Sequence, residues 1–421
     1  MIIGIDASRA NRSHKSGTEW YSYYLIRALA RLDGENTYIL YTDKPLTGGM
    51  ADLTMENAPT EPSFTSDGFQ EIKSPHGNFK GKVLSWPSKF FWTQGRLSLE
   101  MLLHRPDVLF VPAHALPLIH PKRSVVTIHD IGFRYDEKLY EAARIGAESR
   151  RRRNILDFIV RFLSRGALGA NTRDYLEWST AFSLKKASRI IAVSEFTKQE
   201  IASVYATPEA KLVVVPHGYN STLYRPIADE AGAERALARY NIREPYLFYV
   251  GRLEKKKNTA TLIEAFALLK ESRKNFPYKL YLIGDASYGF DDIKYTIHEF
   301  SMEKDVIATG WAAEEDLPYI YSRASAFVFP SNYEGFGIPL LQAMATKTPI
   351  AASKAASIPE VAGDAAEYFD PKDPRDMAEA MGRVLEDEPL RVRLIDAGTR
   401  RVAAYGWDRC ARETLDVLKS A

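Results

Sequence analysis

The stretch Ala326-Phe-Val-Phe-Pro-Ser-Asn-Tyr-Glu-Gly-Phe-Gly-Ile-Pro-Leu-Leu-Gln342 joins an apolar run to a glycine-bearing turn and then to the start of a helix. A short apolar run of this kind predicts a buried strand of a parallel sheet. A strand that passes through a turn into a helix is the repeating unit of α/β folds. The stretch therefore indicates a parallel sheet that is covered by helices.

The turn in this stretch carries one carboxylate, Glu334, beside Gly335 and Gly337. Glycine lets backbone N–H groups approach a ligand closely, and the helix N-terminus adds N–H donors and partial positive charge. Glu334 would then accept hydrogen bonds from sugar hydroxyls. The simpler interpretation is a strand-to-helix turn that needs glycine for its geometry. Leu340 stands where a dinucleotide fingerprint has its third glycine, and the sequence has no P-loop motif.

Working outward, apolar runs of strand length alternate with helical patterns in two successive series. The predicted strands are residues 2–5, 38–41, 108–111, 125–128 and 190–193 in the first series, and residues 246–250, 279–283, 306–307 and 326–329 in the second. This alternation predicts an α/β protein of two doubly wound, Rossmann-like halves. Ligands of such sheets bind beyond the carboxyl ends of the strands, so we expect a binding cleft between the halves.

A largely polar segment, residues 219–230 with Pro226, separates the two series and predicts a linker. We therefore expect an N-terminal domain over residues 1–218 and a C-terminal domain over residues 219–402. The last helical pattern belongs to no strand repeat. Residues 403–421 are accordingly expected to form a separate C-terminal segment.

Composition excludes several classes of protein. A length of 421 residues suits two or three domains, and a net charge of +2 implies no nucleic-acid partner. The single cysteine, Cys410, excludes a disulfide framework and cysteine-rich zinc sites, and it fits a reducing compartment. Residues 1–6 are too short for a signal-peptide core, and no apolar run reaches the ~18 residues of a transmembrane helix. The expected location is the cytoplasm.

A basic turn, Gly251-Arg-Leu-Glu-Lys-Lys-Lys-Asn258, directly follows a predicted strand. Arginine offers a planar fork and lysine a mobile point charge. Arg252 and a lysine at the carboxyl edge of a sheet can therefore neutralise a diphosphate together. A solvated basic turn is the simpler interpretation.

Two further candidates lie in the N-terminal half. His129, followed by Asp130, ends a predicted strand, where it can hydrogen-bond a sugar hydroxyl or an acceptor phosphate unless it is a satisfied structural histidine. Gly17-Thr-Glu19 follows the first strand, and its N–H groups can face a phosphate unless Thr18 merely caps the helix. Neither a catalytic triad nor metal-ligand spacing can be assigned, so no metal site is expected.

Taken in order, segments along most of the chain resemble those of glycosyltransferase family 4, whose members are retaining enzymes of the GT-B fold. The segments are residues 106–110, 125–130, 192–197, 215–218, 250–258, 310–317, 330–344 and 357–364. Trp407-Asp-Arg409 and the final helix are similar to the family's C-terminal helix, which crosses back to the N-terminal domain. The resemblance implies two Rossmann-like domains that face each other across a cleft, the N-terminal one for the acceptor and the C-terminal one for the nucleotide sugar.

The resemblance implies transfer of a hexose such as mannose from a nucleotide diphosphate sugar to a glycan or lipid-linked acceptor in cell-surface polysaccharide synthesis. Transfer would retain the anomeric configuration and need no metal or other cofactor. Arg252 and Lys257 match the side chains that offset the leaving diphosphate, and Glu334 matches the first glutamate of a Glu-x7-Glu motif that holds sugar hydroxyls. His129 matches a histidine near the reacting sugar. The predicted catalytic residues are His129, Arg252, Lys257 and Glu334. With Gly17, which the residues alone suggested, the predicted donor site consists of Gly17, Gly251, Arg252, Lys257, Glu334, Gly335, Phe336, Gly337 and Gln342.

The chain departs from the family motif at Gln342. The family has its second glutamate there, which usually holds the ribose hydroxyls. Glutamine retains an acceptor oxygen but loses the charge, so we expect ribose binding with an altered affinity or donor preference. His217 stands where the family often has asparagine, and we interpret it as variation in the hinge.

Two other functions remain open. One is a GT-B epimerase or phosphorylase, although no lysine is marked as an anchor for pyridoxal phosphate. The other is a non-catalytic GT-B subunit, for which Gln342 would be a sign of lost turnover.

A cluster of seven arginines between residues 144 and 165 includes Arg150, Arg151, Arg152 and Arg153. Ile155, Ile159 and Phe162 follow on one helical face, so the cluster predicts a peripheral contact with the anionic inner face of the membrane. A solvated helix face, or a site for an anionic acceptor, is the alternative.

The loop-like and aromatic residues before this cluster give two further expectations. Residues 45–80 are rich in Pro, Gly, Ser, Thr and Asn and are predicted to be loops. Aromatic residues alternate with lysines from 79 to 92. Together with the arginine cluster they would form a patch for the membrane surface, but aromatic residues at this density are more often core, and we expect Phe91 and Trp92 to be core residues.

Overall fold

The structure, a computed structural model, describes residues 1–55, 61–86, 92–135, 172–287 and 289–421. It divides into two compact units. The first unit comprises Met1–Gly218 and Trp407–Ala421, and the second comprises Tyr219–Gly406. The C-terminal part of the first unit begins at Trp407 and not at residue 403, because the preceding helix runs to Val402 and the turn after it stays with the second unit.

The first unit is built on a mostly parallel sheet. Its described strands are β1 (Ile2–Asp6), β2 (Thr37–Thr42), β3 (Gln70–Glu71), β4 (Phe79–Val83), β5 (Val108–Val111), β6 (Ser124–Ile128), β7 (Arg189–Ala192) and β8 (Leu212–Val214). They lie in the order β3-β4-β2-β1-β5-β6-β7-β8, and only β3 runs antiparallel to its neighbour. The chain leaves β1 for β2 and returns to β5 on the other side of β1. The sheet is therefore doubly wound, as predicted, with its switch point between β1 and β5.

Helices cover this sheet. They are α1 (Gly17–Leu32), α2 (Ser98–Leu103), α3 (Thr172–Lys186), α4 (Glu195–Tyr205) and the C-terminal helix (Trp407–Ser420), with a π-helix (Trp92–Leu97) directly before α2. Among the residues of this unit that the structure describes, short 3-10 helices lie at Gly48–Met50, Gly132–Arg134 and Glu209–Lys211. The C-terminal helix packs on α1, because the Trp407 ring stacks on Tyr24 with a centroid separation of 5.6 Å.

Two expectations for residues before α2 have different outcomes. The loop prediction for residues 45–80 was wrong at β3 (Gln70–Glu71) and at its end, where β4 begins. Phe79 pairs with Tyr38 of β2, their rings stacked 4.3 Å apart, so this buried contact outweighs the lysines and glycine of β4. Trp92 is a core residue, as predicted, and its indole N–H donates to the Leu84 carbonyl at 2.9 Å. Phe91 lies outside the described residues.

The second unit is built on a parallel sheet, in which all the strands that the structure describes run in the same direction. These are β9 (Tyr246–Val250), β10 (Lys279–Ile283), β11 (Val306–Gly310), β12 (Ala326–Phe329), β13 (Ile350–Ser353) and β14 (Ala366–Phe369), in the order β11-β10-β9-β12-β13-β14. The chain runs outward from β9 to β11 and returns to β12 beside β9. The carboxyl ends of β9 and β12 therefore meet at the switch point, which brings the turns after them together.

The helices of the second unit cover both faces of its sheet. They are α5 (Glu230–Arg239), α6 (Thr259–Glu271), α7 (Phe290–Glu299), α8 (Leu317–Arg323), α9 (Ile338–Ala345), α10 (Ile358–Ala362), α11 (Pro374–Glu386) and α12 (Glu388–Val402), with 3-10 helices at Lys255–Lys257 and Gly363–Ala365. Across the described parts of both units, none of the helices has the length and apolar character to cross a membrane.

Candidate active site

The turn after β12 is held in one shape by glycine geometry and by one serine. Gly337 has φ +103°, and a Cβ there would lie 3.0 Å from Leu340 Cδ1, so a larger residue is strained at this position. Ser357 Oγ donates to the carbonyl oxygens of Glu334 at 2.8 Å and Phe336 at 3.2 Å. The backbone from Glu334 to the start of α9 is consequently fixed before any ligand binds.

The turn after β9 is equally constrained. Gly251 has φ +147°, and a Cβ there would lie 2.5 Å from the Tyr249 hydroxyl oxygen. That hydroxyl donates to the Arg252 carbonyl at 3.1 Å. The backbone of Arg252 is therefore set by a buried tyrosine, whereas its guanidinium-bearing side chain is exposed.

Side chains and backbone join the two turns directly. Lys257 Nζ lies 2.6 Å from Glu334 Oε1, and both side chains are largely buried, with 18% and 13% exposure. Asn258 Nδ2 donates to the Pro330 carbonyl at 3.1 Å, and the Asn332 N–H donates to the Lys256 carbonyl at 3.3 Å. Sequence reasoning selected Lys257 and Glu334 separately, and the structure pairs them.

Gln342 lies on α9, the helix that begins at the glycine turn. Its side chain is half-buried, and its amide oxygen accepts a hydrogen bond from the Tyr321 hydroxyl at 3.3 Å. Tyr321 is fully buried, and burial raises the pKa of its hydroxyl well above the usual range, so the hydroxyl stays a donor. The bond from Tyr321 engages one lone pair of the amide oxygen and orients it, while the second lone pair can still accept from a ligand.

In the first unit, His129 lies directly after β6 and is only 8% exposed. Its Nε2 donates to the Pro112 carbonyl at 3.0 Å, because a carbonyl can only accept. Burial lowers the pKa of His129, although the Pro112 contact and Asp130 oppose the shift. The imidazole is therefore neutral at physiological pH, with its hydrogen on Nε2.

Aromatic rings surround His129. The Tyr21 ring meets it edge-on at 4.8 Å, and the His217 ring lies 5.3 Å away. Burial and then the neighbouring His129 lower the pKa of His217 well below the usual range. Sequence reasoning interpreted His217 only as variation in the hinge. It did not place His217 beside His129, because the two residues are 88 positions apart in the chain and no sequence pattern connects them.

Gly17 is the first residue of α1, but the helix is capped differently from our expectation. The N-cap is Ser16 and not Thr18, and Glu19 completes a capping box by accepting from the Ser16 N–H at 3.1 Å. Arg9 also donates to Glu19 at 3.1 Å. Burial raises the pKa of Glu19, but the contacts with Ser16 and Arg9 outweigh it and lower the pKa overall. A carboxylate therefore already stands at the positive end of this helix, which favours the structural interpretation of Gly17.

Two elements of the site were not predictable from motif spacing. Ser357 begins the family-like segment 357–364 and Tyr321 lies in none of these segments, and in neither case does the sequence show the contact that fixes a predicted ligand residue. The arginine cluster with Arg150, Arg151, Arg152 and Arg153 lies outside the described residues.

Comparison with known proteins identifies relatives of both units. A family model described as "Glycosyl transferases group 1" matches residues 234–401, and one described as "Glycosyltransferase Family 4" matches residues 15–223. The O-antigen chain mannosyltransferase B of Escherichia coli is 30% identical over 329 residues, which are 77% of this chain and 83% of that protein.

Solved structures share the fold over the full chain. Sucrose-phosphate synthase from Thermosynechococcus elongatus has a TM-score of 0.69 and 21% identity, covering 100% of this chain and 98% of that chain. HepE from Anabaena, solved in complex with UDP and glucose, has a TM-score of 0.65 and 15% identity, covering 100% of this chain and 99% of that chain. At these identities the likeness concerns the fold.

Proposed function

We propose that this chain moves a hexose from a nucleotide diphosphate sugar to a glycan or lipid-linked acceptor of a cell-surface polysaccharide. The proposal starts from the family, since the chain belongs to glycosyltransferase family 4. Mannose is the first candidate sugar, because the Escherichia coli relative is an O-antigen mannosyltransferase. The nucleotide donor is supported by the GT-B neighbour that was solved with UDP and glucose.

The observation that carries this proposal is the Lys257–Glu334 pair at the switch point of the second unit, 2.6 Å between Nζ and Oε1. Lys257 and the side chain of Arg252 supply positive charge for a diphosphate. Glu334 and the backbone amides of Gly335, Phe336 and Gly337 supply acceptors and donors for the sugar hydroxyls. The side chains and amides that would bind the diphosphate and the sugar therefore lie together on one rigid pair of turns.

The proposed chemistry is transfer with retention and without a metal. The bond between the anomeric carbon and the phosphate oxygen breaks first, which leaves oxocarbenium character on the sugar. Lys257 and Arg252 stabilise the departing diphosphate, because fixed cations act on charge that develops in the transition state. The acceptor oxygen then bonds to the anomeric carbon on the same face, and its proton passes to the leaving phosphate oxygen. His129, neutral and held by Pro112, is proposed to orient the reacting sugar or the acceptor.

The most direct experiment is a thermal-shift panel of nucleoside diphosphates, followed by transfer from the hexose of the preferred nucleotide. Ligand stabilisation grows with ligand concentration relative to Kd, so the preferred base gives the largest shift. NMR of the product determines the anomeric configuration, and EDTA tests the metal. Binding without hydrolysis or transfer would favour a non-catalytic subunit, and interconversion of free nucleotide sugars would favour an epimerase.

A lipid-linked acceptor would place the enzyme at the cytoplasmic membrane face. Peripheral contact through Arg150, Arg151, Arg152 and Arg153 is part of the proposal and rests on the sequence alone. Reversal of these four arginines to glutamate should reduce binding to anionic vesicles at low salt. Equal binding by the reversed variant would remove the cluster from the proposal.

A further inference from the structure

A buried carboxylate of the first unit, Asp6, has no part in the site described above. Asp6 is the last residue of β1 and is only 7% exposed. It ends the strand at the switch point between β1 and β5. Ligands of doubly wound sheets bind at the carboxyl ends of the strands beside such a point. The position of Asp6 therefore makes its carboxylate a candidate for contact with a ligand of the first unit.

The two oxygens of this carboxylate differ in their contacts. Oδ1 accepts from the Ser8 N–H at 3.0 Å and from the Ser8 hydroxyl at 2.6 Å. Within the part of the chain that the structure describes, no group donates to Oδ2 of Asp6. The guanidinium of Arg9 lies nearby in sequence, but it pairs with Glu19 at 3.1 Å. Oδ2 can therefore accept a hydrogen bond from a ligand.

A second aspartate of the same unit shows how a carboxylate with a purely structural role is satisfied. Asp52 forms the same turn as Asp6, because its Oδ1 accepts from the N–H and the hydroxyl of Thr54, two residues further on. Its Oδ2, however, lies 3.1 Å from the Lys73 ammonium. Asp52 is as buried as Asp6, with 3% exposure. The turn alone therefore does not account for the state of Oδ2 in Asp6.

The electrostatic environments of the two aspartates differ in the same way. Burial raises the pKa of Asp6, and the contacts with Ser8 and Arg9 oppose this shift without cancelling it, while Asp43 adds to it. Burial also raises the pKa of Asp52, but its hydrogen bonds and its ion pair outweigh burial and lower the pKa overall. A raised pKa means that the fold disfavours the ionised acid. Ionised Asp6 therefore costs stability until a donor reaches Oδ2.

We infer that Asp6 binds a hydroxyl group of the acceptor sugar. An ionised carboxylate only accepts hydrogen bonds, and a sugar hydroxyl is a neutral group that can donate to Oδ2. A phosphate would meet a carboxylate of its own sign, and an ammonium would meet the nearby charge of Arg9. The inference rests on the proposed function, in which the acceptor carries a sugar. It specifies that the group bound at the end of β1 is uncharged.

The neighbours of Asp6 suit a group that both donates and accepts. Burial raises the pKa of the Tyr175 hydroxyl on α3, and the charge of Asp6 adds to that shift, so this half-buried ring lies near the carboxylate. Tyr175 stays a donor as a result. The Arg9 side chain is 52% exposed and adds further donors. A sugar hydroxyl can donate to Asp6 and accept from such a neighbour at once.

The first test measures stability without a ligand. Asp6→Asn keeps an oxygen for Ser8 and removes the charge, so it should raise the unfolding temperature of the first unit at pH 7 by roughly 2–4 °C. An acid whose folded pKa is raised costs stability only where it is ionised, so this gain should fade as the pH falls towards the usual pKa of aspartate. Asp52→Asn is the matched control. It should lower the unfolding temperature, because the ion pair with Lys73 is lost.

The second test measures binding of small sugars by saturation-transfer NMR titration. The probes are methyl α-D-mannopyranoside, methyl α-D-glucopyranoside and, as an anionic counterpart, mannose 6-phosphate. Asp6→Asn should weaken binding of the preferred methyl hexoside by about tenfold, because a charge-assisted hydrogen bond is lost. Asp52→Asn should bind it as the unaltered chain does. In a transfer assay, Asp6→Asn should raise the acceptor KM more than it lowers kcat.

Several results would overturn the inference. Asp6→Asn would be a change in a turn residue only if it lowered the unfolding temperature or failed to fold. Hexoside binding that is unchanged in Asp6→Asn, or absent from the unaltered chain, would also exclude the contact. Tighter binding of mannose 6-phosphate that Asp6→Asn leaves unchanged would assign this edge of the sheet to an anion.

Failure of the proposed function would look different. Nucleoside diphosphate binding should be equal in Asp6→Asn and the unaltered chain, because the proposed donor residues belong to the second unit. An unaltered chain that binds no nucleoside diphosphate would contradict the proposed function. The unfolding temperatures and the hexoside titrations would still decide the role of Asp6.

Discussion

At the scale of single residues, the contact that most affects ligand binding is the ion pair between Lys257 and Glu334. A diphosphate and the Glu334 carboxylate compete for the same ammonium group. Glu334→Gln removes the competitor, so it should tighten binding of a nucleoside diphosphate without sugar by about threefold to tenfold, the equivalent of about 1 kcal/mol for a partly buried pair. Transfer should fall, because the sugar loses its acceptor. Isothermal titration calorimetry measures the binding.

Glu254→Gln is the matched control for this prediction. Glu254 lies in the turn after β9 and its carboxylate pairs with Lys256 at 3.5 Å. Equal tightening in both variants would mean that net charge alone is responsible. Unchanged or weaker diphosphate binding in Glu334→Gln would contradict the competition.

Arg252 gives a second residue-scale prediction. Its backbone is held by Tyr249 while its side chain is exposed, so truncation should leave the fold unchanged. Arg252→Ala should cost at least ~2 kcal/mol of transition-state stabilisation, roughly 30-fold in kcat/KM, as expected for a charge-assisted contact with the leaving group. Steady-state kinetics of Arg252→Ala and Lys257→Ala test it. The assignment fails if kcat/KM is unchanged in both.

Gln342 supports a third prediction, which depends on its bond from Tyr321. A glutamate at this position can accept the same hydrogen bond, so Gln342→Glu should fold normally and keep its activity. Gln342→Ala should weaken nucleotide binding by about threefold to tenfold, the loss of one net hydrogen bond, without changing which sugar is preferred. Competition binding with several nucleotide sugars checks both. An inactive but folded Gln342→Glu would show that the site uses the amide in another way.

At the scale of elements, two glycines that sequence reasoning treated alike have different roles. Gly337→Ala should lower the free energy of unfolding by about 1–3 kcal/mol, because φ is +103° and a Cβ would press on Leu340. Gly17→Ala should change it by less than about 0.5 kcal/mol, since nothing lies within 4 Å of a Cβ there and φ is not positive. Urea unfolding of the two variants compares them, and equal effects would contradict the assignment.

Sequence patterns predicted the strands and the glycine turns but not the contacts that fix them. Apolar runs report burial in a parallel sheet, which is why the nine strands predicted in the two series were found, but β13 and β14 of the second unit were not among them. The β4 strand was missed because its lysines and glycine hide the one apolar contact, Phe79 on Tyr38, that places it. Glu334 and Lys257 stood out because glycine and charge mark such turns. The contacts of Ser357 with the Glu334 carbonyl and of Tyr321 with the Gln342 side chain did not, since a hydrogen bond between residues 23 or 21 positions apart leaves no periodic signal.

At the scale of the whole molecule, the first unit depends on a helix from the far end of the chain. Trp407 is 6% exposed and stacks on Tyr24, while Arg123 donates to the Lys419 and Ala421 carbonyls at 3.0 and 2.6 Å. Trp407→Ala should destabilise the first unit by about 3–5 kcal/mol, as expected for truncation of a buried tryptophan. Hydrogen exchange should accelerate in peptides of α1 and β1.

The control for this prediction is Asp416→Ala, an exposed position on the same helix. It should leave exchange unchanged in both units. Equal acceleration throughout the second unit in Trp407→Ala would mean that the helix does not stabilise the first unit in particular.

The return of the chain to the first unit also sets an order of events during synthesis. In the amino-acid sequence, the second unit lies between the two parts of the first unit. It spans the 188 residues from Tyr219 to Gly406. At about 5–20 residues per second, a ribosome needs roughly 10–40 seconds to make it. During that interval the β-sheet of the first unit is complete, but Tyr24 still lacks Trp407. Until Trp407 is made, the nascent first unit therefore exposes an aromatic surface to chaperones or to wrong partners. The second unit can finish folding before the first unit is complete.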